Sequence, residues 1–225
     1  MHARINSIRS LLFCCAALLL ASGLQAQKPV FSVDLQAGPV FSTVKPDPSD
    51  AFDAKFRVGF FAGANLCLTF SEKWAVPIAV QYSQRGFQYE TEGAFFIQNG
   101  QLALYRGRVD YRLGYLDVQP QLEFRPVKAL GIAVGPYLSF RLAEQIKLGD
   151  VIDWTSTKDD ELFASTDFGL AAKLTGNIGP AYLFAAFQLG LSNISNVELT
   201  DANGQPMGEL GLKNRAVFVG AGWRF

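Results

Sequence analysis

The charged side chains Asp34, Arg57, Arg85, Asp117, Glu123, Arg125, Arg141, Asp167, Lys173 and Arg224 carry whatever chemistry this sequence can perform, because both signs fall on one face of alternating segments. Carboxylates so placed can serve as an acid pair for catalysis, a row of charges can line a pore, and opposite charges can lock together as a structural plug. Histidine chemistry is missing: the single histidine, His2, lies in a segment read below as a cleaved leader. Without it there is no Ser-His-Asp triad, no Cys-His pair and no imidazole metal site. The chain is therefore expected to be no enzyme and to need no cofactor.

Two smaller groups of residues invite sharper readings. Asp150, Asp153, Asp159, Asp160 and Glu161 lie among Lys147 and Lys158. Carboxylate oxygens are the usual ligands of calcium, but this spacing matches no EF-hand loop, and a solvated acidic surface accounts for it more simply. Cys67 is the one cysteine left after the leader, so it forms no internal disulfide. A small apolar residue on a strand is a plainer reading of it than a reactive thiol. Asn203-Gly204 is a hairpin-turn signal. No basic stripe, Gly-rich phosphate loop or nucleic-acid motif is visible, so nucleic acid is not an expected partner.

The elements that must position these residues begin after a secretory signal. Arg4 and Arg9 form a basic start, Leu11 to Leu20 an apolar core, and Leu24-Gln25-Ala26 a small-residue cleavage site, so residues 1–26 are expected to be removed. The apolar run is shorter than the roughly 20 residues a membrane-spanning helix needs. The formal net charge of zero becomes slightly acidic once Arg4 and Arg9 are lost.

From residue 27 to 225 the dominant pattern is a two-residue period. Leu130, Ile132, Val134, Leu138, Phe140 and Leu142 occupy one parity; Gly131, Ala133, Gly135, Tyr137, Ser139 and Arg141 occupy the other. Phe56 to Phe70 repeats this, as does Trp74 to Arg85, and Leu116, Val118, Leu122 and Phe124 oppose Asp117, Gln119, Gln121, Glu123 and Arg125. Val109, Tyr111 and Leu113 carry the opposite pattern, which predicts a bulge near Gly114 or a strand continuing beyond the lipid. With segments 31–42, 166–176, 181–192 and 213–225 the count reaches about eight, the smallest number usual for membrane barrels.

Tight turns at Ser71-Glu72-Lys73, 126–129 and 176–180 alternate with long polar connections near 43–54, 88–107, 143–165 and 193–211. Short turns on one side and long loops on the other are the asymmetry of an outer-membrane barrel. The last segment puts Val217, Val219, Ala221, Trp223 and Phe225 on one face, and a terminal phenylalanine resembles the signal read by the barrel assembly machinery. Trp74, Tyr82, Trp223 and Phe225 are expected at strand ends, where amphipathic rings anchor at the membrane interface.

Several segments resemble the PorT-like outer-membrane β-barrel family of Bacteroidota. They are Gln81-Tyr82-Ser83-Gln84-Arg85-Gly86, the stretch Tyr115 to Leu122, Gly135-Pro136-Tyr137, Asp167-Phe168-Gly169-Leu170 and Leu189 to Ile194, in register along nearly the whole chain after the leader. The fourth segment departs from that pattern with Gln119, Gln121 and Glu123. The resemblance implies fold and location, and an association with protein secretion as for the namesake.

The fold expected is all-β: an antiparallel up-and-down transmembrane barrel of about eight strands in the bacterial outer membrane. Its interior is expected to be filled by paired charges, because a barrel this small is only just wide enough for side chains. A structural or partner-binding role through external loops follows, with outer-membrane lipids, the assembly machinery and a protein partner as the expected contacts. Small-ligand binding or transport is the alternative. On fold, the competitor is a soluble carrier whose apolar side chains would point inward.

Overall fold

The computed structural model describes residues 29–49, 51–98, 101–158, 162–200 and 206–225. The expected leader, residues 1–26, lies outside them, as do Asp159, Asp160 and Glu161 of the acidic group and the Asn203-Gly204 turn. The strands are β1 (Val30–Asp47), β2 (Lys55–Thr69), β3 (Trp74–Gln98), β4 (Gln101–Pro120), β5 (Leu122–Val127), β6 (Leu130–Leu148), β7 (Ile152–Ser156), β8 (Thr166–Ile178), β9 (Ala181–Gly190), β10 (Glu198–Thr200), β11 (Pro206–Glu209) and β12 (Gly211–Arg224).

The walls follow the order β2, β1, β12, β9, β8, β6, β4, β3, and β3 pairs back to β2, so the sheet closes on itself. Each junction of the ring is antiparallel. Pro120 ends β4, and after Gln121 the chain resumes as β5 between the same two neighbours, β3 and β6. β4 and β5 therefore fill one place in a ring of eight. Closure leaves no strand edge within the wall, the condition for a sheet surrounded by hydrocarbon.

The alternation read from the sequence sorts side chains as expected. On β6, Ala133, Tyr137 and Ser139 are buried while Val134, Leu138 and Phe140 are exposed. On β8, Asp167 and Ala171 are buried while Phe168, Leu170 and Leu174 are exposed. Phe60, Val80, Leu183 and Val219 extend the apolar belt around the outside. A band this large is stable in lipid and unstable in water, so the outward face settles against the soluble carrier.

One expectation is refined and one is corrected. The register shift falls at Gly114, as expected, and β4 continues past it; the extra residue belongs to β6. On β4, Val109, Leu113, Tyr115, Asp117 and Gln119 are all buried and share one parity without interruption. Its pairing with β6 slips instead: Gly114 faces Ala143 but Tyr115 faces Arg141, leaving Leu142 as the extra residue. The apolar residues of upper β4 point into the bore, where Leu113 packs with Val44, Phe87, Phe163, Ile194 and Leu212.

The long polar loops are also largely β-structure. Residues 88–91 and 94–98 of β3 pair with residues 101–105 and 107–110 of β4, ending with Gln98 opposite Gln101. β1 continues to Asp47 along β12, β6 continues to Leu148 with β7 beside it, and β10 pairs β11. Lipid imposes the two-residue hydropathy pattern, whereas hydrogen bonding between strands does not require it, so the pattern stops before the strands do.

Candidate functional site

Arg85 projects from β3 into the bore and is fully buried. It forms ion pairs with Asp117 of β4 and with Asp167 of β8, the second at 3.6 Å. Its Nε donates to Ser83 Oγ at 3.1 Å and its Nη2 to Ser139 Oγ at 2.8 Å. Both hydroxyls pass hydrogen bonds on to Asp117, at 2.8 Å from Ser83 and 2.6 Å from Ser139, and Gln81 adds a donor at 3.4 Å. Asp167 accepts from Tyr137 at 3.0 Å, Asn214 at 2.9 Å and Ser192 at 2.8 Å. The rings of Tyr115 and Tyr137 lie 4.4 and 5.7 Å from the guanidinium carbon.

The physical sense of this arrangement is charge compensation by the protein's own groups. One cation and two carboxylates would leave excess negative charge in a buried interior, at a cost of several kcal/mol. Asp117 gathers four donors and Asp167 three, which spreads that charge over neutral hydroxyl and amide groups as well as the guanidinium. Strands on opposite sides of the ring are thereby tied together.

Other sequence-singled charges form separate groups. Toward the short turns, Arg224 donates to Asp34 at 3.2 Å, and Arg125 donates to Glu123 at 2.5 Å and to Cys67 Sγ at 3.7 Å. Lys173 donates to Gln36 Oε1 at 2.9 Å and lies 4.1 Å from the Phe184 ring. Gln36 in turn joins Asn65 and Gln81. Toward the long connections, Arg141 pairs with Glu144. Arg57 stands apart from these ion pairs and packs against Trp154 instead.

Sequence reasoning missed Glu144 and the neutral members. The alternation of β6 assigns Glu144 to the outside, and only the bulge at Leu142 brings it in. Ser83, Tyr137 and Ser139 were legible as inward by parity, but nothing in the sequence marks them as donors to a particular acid. Of the interface aromatics, Trp74, Trp223 and Phe225 are exposed near the short-turn end, and Trp74 packs on Phe124 at 4.9 Å. Tyr82 is corrected: it falls within β3, beside Phe60 at 5.7 Å, because β3 runs on to Gln98.

Between these groups, Phe61, Phe184 and Phe218 pack with Val40 inside the bore. An enclosed gap of about 10 Å³ remains beside Gln36, Gln119, Gln121 and Lys173, the room of a single water. The arrangement can hold strands in register and block the bore. Among the described residues no cluster of side chains suited to a metal ion is present.

A family model for the outer membrane protein beta-barrel domain matches residues 25–196. No curated protein matches the chain. Among solved structures the chain is similar to Ail, the attachment invasion locus protein of Yersinia pestis, crystallised with the heparin analogue sucrose octasulfate, at 17% identity and a TM-score of 0.44, covering 87% of this chain and 99% of that one. Neisserial surface protein A is similar at 12% identity and a TM-score of 0.48, covering 88% and 100%. OprG from Pseudomonas aeruginosa is similar at 13% identity and a TM-score of 0.41, covering 86% and 95%.

Proposed function

The chain belongs to the outer membrane protein beta-barrel domain family and resides in the bacterial outer membrane, and we propose that it acts there as a closed, non-conducting barrel that holds a β-structured platform for a partner outside the cell. The observation that carries this reading is the fully buried Arg85 paired with Asp117 and Asp167 across the bore. An ion crossing at that level would have to break the network and desolvate, against a barrier of many kcal/mol. The paired ribbon of β3 and β4 above the ring supports the platform. Its orientation, long connections outward, follows the usual asymmetry of such barrels.

The same burial supports a non-catalytic role, since Asp117 and Asp167 are 0% exposed and out of reach of a substrate. A part in protein export, implied by the resemblance to PorT-like barrels, is the alternative, supported by the sequence motifs alone. Planar bilayer recording tests the main reading. Purified protein is expected to give no steady conductance, and stable ohmic channels from the wild-type chain would refute it. Crosslinking in intact cells from positions on the ribbon, such as Glu90, is expected to capture a protein partner.

A further inference from the structure

Arg57 and Arg112 address the same indole near the long-connection end of the barrel. The guanidinium carbon of Arg112 lies 3.7 Å from the centre of the Trp154 ring, and that of Arg57 lies 5.3 Å from it. Trp154 is fixed by Asp153, whose carboxylate accepts the Trp154 backbone N–H at 2.9 Å and a Lys147 donor at 3.3 Å. Those two interactions hold the Asp153 carboxyl below its usual range, so it stays charged and in place. Gly86 lies under Arg57: a Cβ there would stand 1.9 Å from the Tyr111 carbonyl oxygen and 3.2 Å from Arg57 Cδ.

The stack is electrostatically incomplete. Arg57 is 6% exposed, and its Nη1 has no hydrogen-bond partner; neither does Nε of Arg112. Among the described residues neither guanidinium forms an ion pair: Asp110 attracts Arg57 but is bound by Arg108 at 3.0 Å, and Arg112 donates from Nη1 only to Gln145 Oε1, at 3.4 Å. The two cations repel each other. Stacking on indole offsets part of the cost of burying them, but it satisfies no N–H group. A tetrahedral oxyanion does both, because a guanidinium fork matches two of its oxygens and its charge answers two cations.

The position of the stack is informative as well. Arg57 lies two residues into β2 and is flanked by exposed Phe56 and Val58, so the apolar outer wall reaches this level while β7, which carries Trp154, stands beside the end of β6. We propose that Arg57, Arg112 and Trp154 form a phosphate-binding site at the outer rim of the barrel, able to take the phosphate of a lipid headgroup or phosphate from solution.

Trp154 supplies its own reporter. In full-length protein carrying Trp74→Phe and Trp223→Phe, Trp154 is the sole tryptophan, because the chain has three. Its emission is expected to change saturably with inorganic phosphate in detergent, or with phosphatidic acid added to phosphatidylcholine nanodiscs. Response to the lipid but not to free phosphate assigns the site to a headgroup; response to both shows that the free ion suffices. Arg57→Gln or Arg112→Gln is expected to weaken binding about tenfold or more, the loss of one charge-assisted contact, while Arg112→Lys, which keeps the charge but loses the fork and the stack, recovers only part of it. Folding of each variant is checked by the faster gel mobility of the unheated barrel. No saturable change with either probe, or equal binding by folded Arg→Gln variants, would overturn the proposal.

Discussion

Arg141 and Glu144, three residues apart on β6, meet inside the barrel because the strand bulges between them. In a regular strand, side chains three apart point to opposite faces. The extra residue Leu142 turns Glu144 inward, where it also accepts from Thr157 at 2.9 Å and so ties the third connection to the wall. Both side chains are nearly inaccessible, at 6% and 0%.

Glu144→Ala is expected to destabilise the folded barrel by about 3 kcal/mol, because it strands the Arg141 charge. Arg141→Met with Glu144→Leu is expected to recover most of that loss. Urea unfolding of the protein inserted in lipid vesicles measures both, and equal stability of Glu144→Ala and wild type would show that the pair does not operate.

Removing the cation from the central network has a comparable consequence. Arg85→Met leaves Asp117 and Asp167 facing each other without compensation, and a loss of about 3–5 kcal/mol is expected. Adding Asp117→Asn and Asp167→Asn is expected to restore much of it, in a strongly non-additive cycle. Additive losses in the same unfolding assay would mean that the three groups act independently.

The outer wall predicts a response opposite to that of a soluble protein. Val134 is 56% exposed. In water an arginine at an exposed position typically changes stability by less than about 0.5 kcal/mol. Facing the middle of a bilayer, Val134→Arg is expected to cost about 2–4 kcal/mol, read from unfolding in vesicles.

Above the Lys55–Glu90 ion pair and the hydrogen bond from Gly149 N–H to the Arg108 carbonyl, the strands of the β3–β4 ribbon pair with each other and not with the neighbouring wall strands. Replacing residues 92–104 by an Asn-Gly turn is therefore expected to leave the barrel folded, with a stability change below about 1 kcal/mol, since shortening a connection changes closure entropy only slightly. Gel mobility and circular dichroism check the folding. Loss of the partner crosslinks in the same variant would tie the ribbon to recognition.

The sequence by itself determined the barrel, its strand count and which side of each wall strand meets lipid, because a hydrocarbon medium forces large apolar side chains onto one parity over strand after strand. It also determined that charges of both signs lie within. Tertiary structure alone decided which charge meets which. Arg85 finds Asp117 and Asp167 through the stagger of strands distant in sequence, and Glu144 joins Arg141 through an extra residue that the alternation of β6 does not announce. The reach of β3 and β4 was likewise invisible, since backbone pairing beyond the lipid is indifferent to hydropathy. Local periodicity reports the surroundings of a residue, whereas its partner across the bore depends on register and closure, which belong to the whole ring.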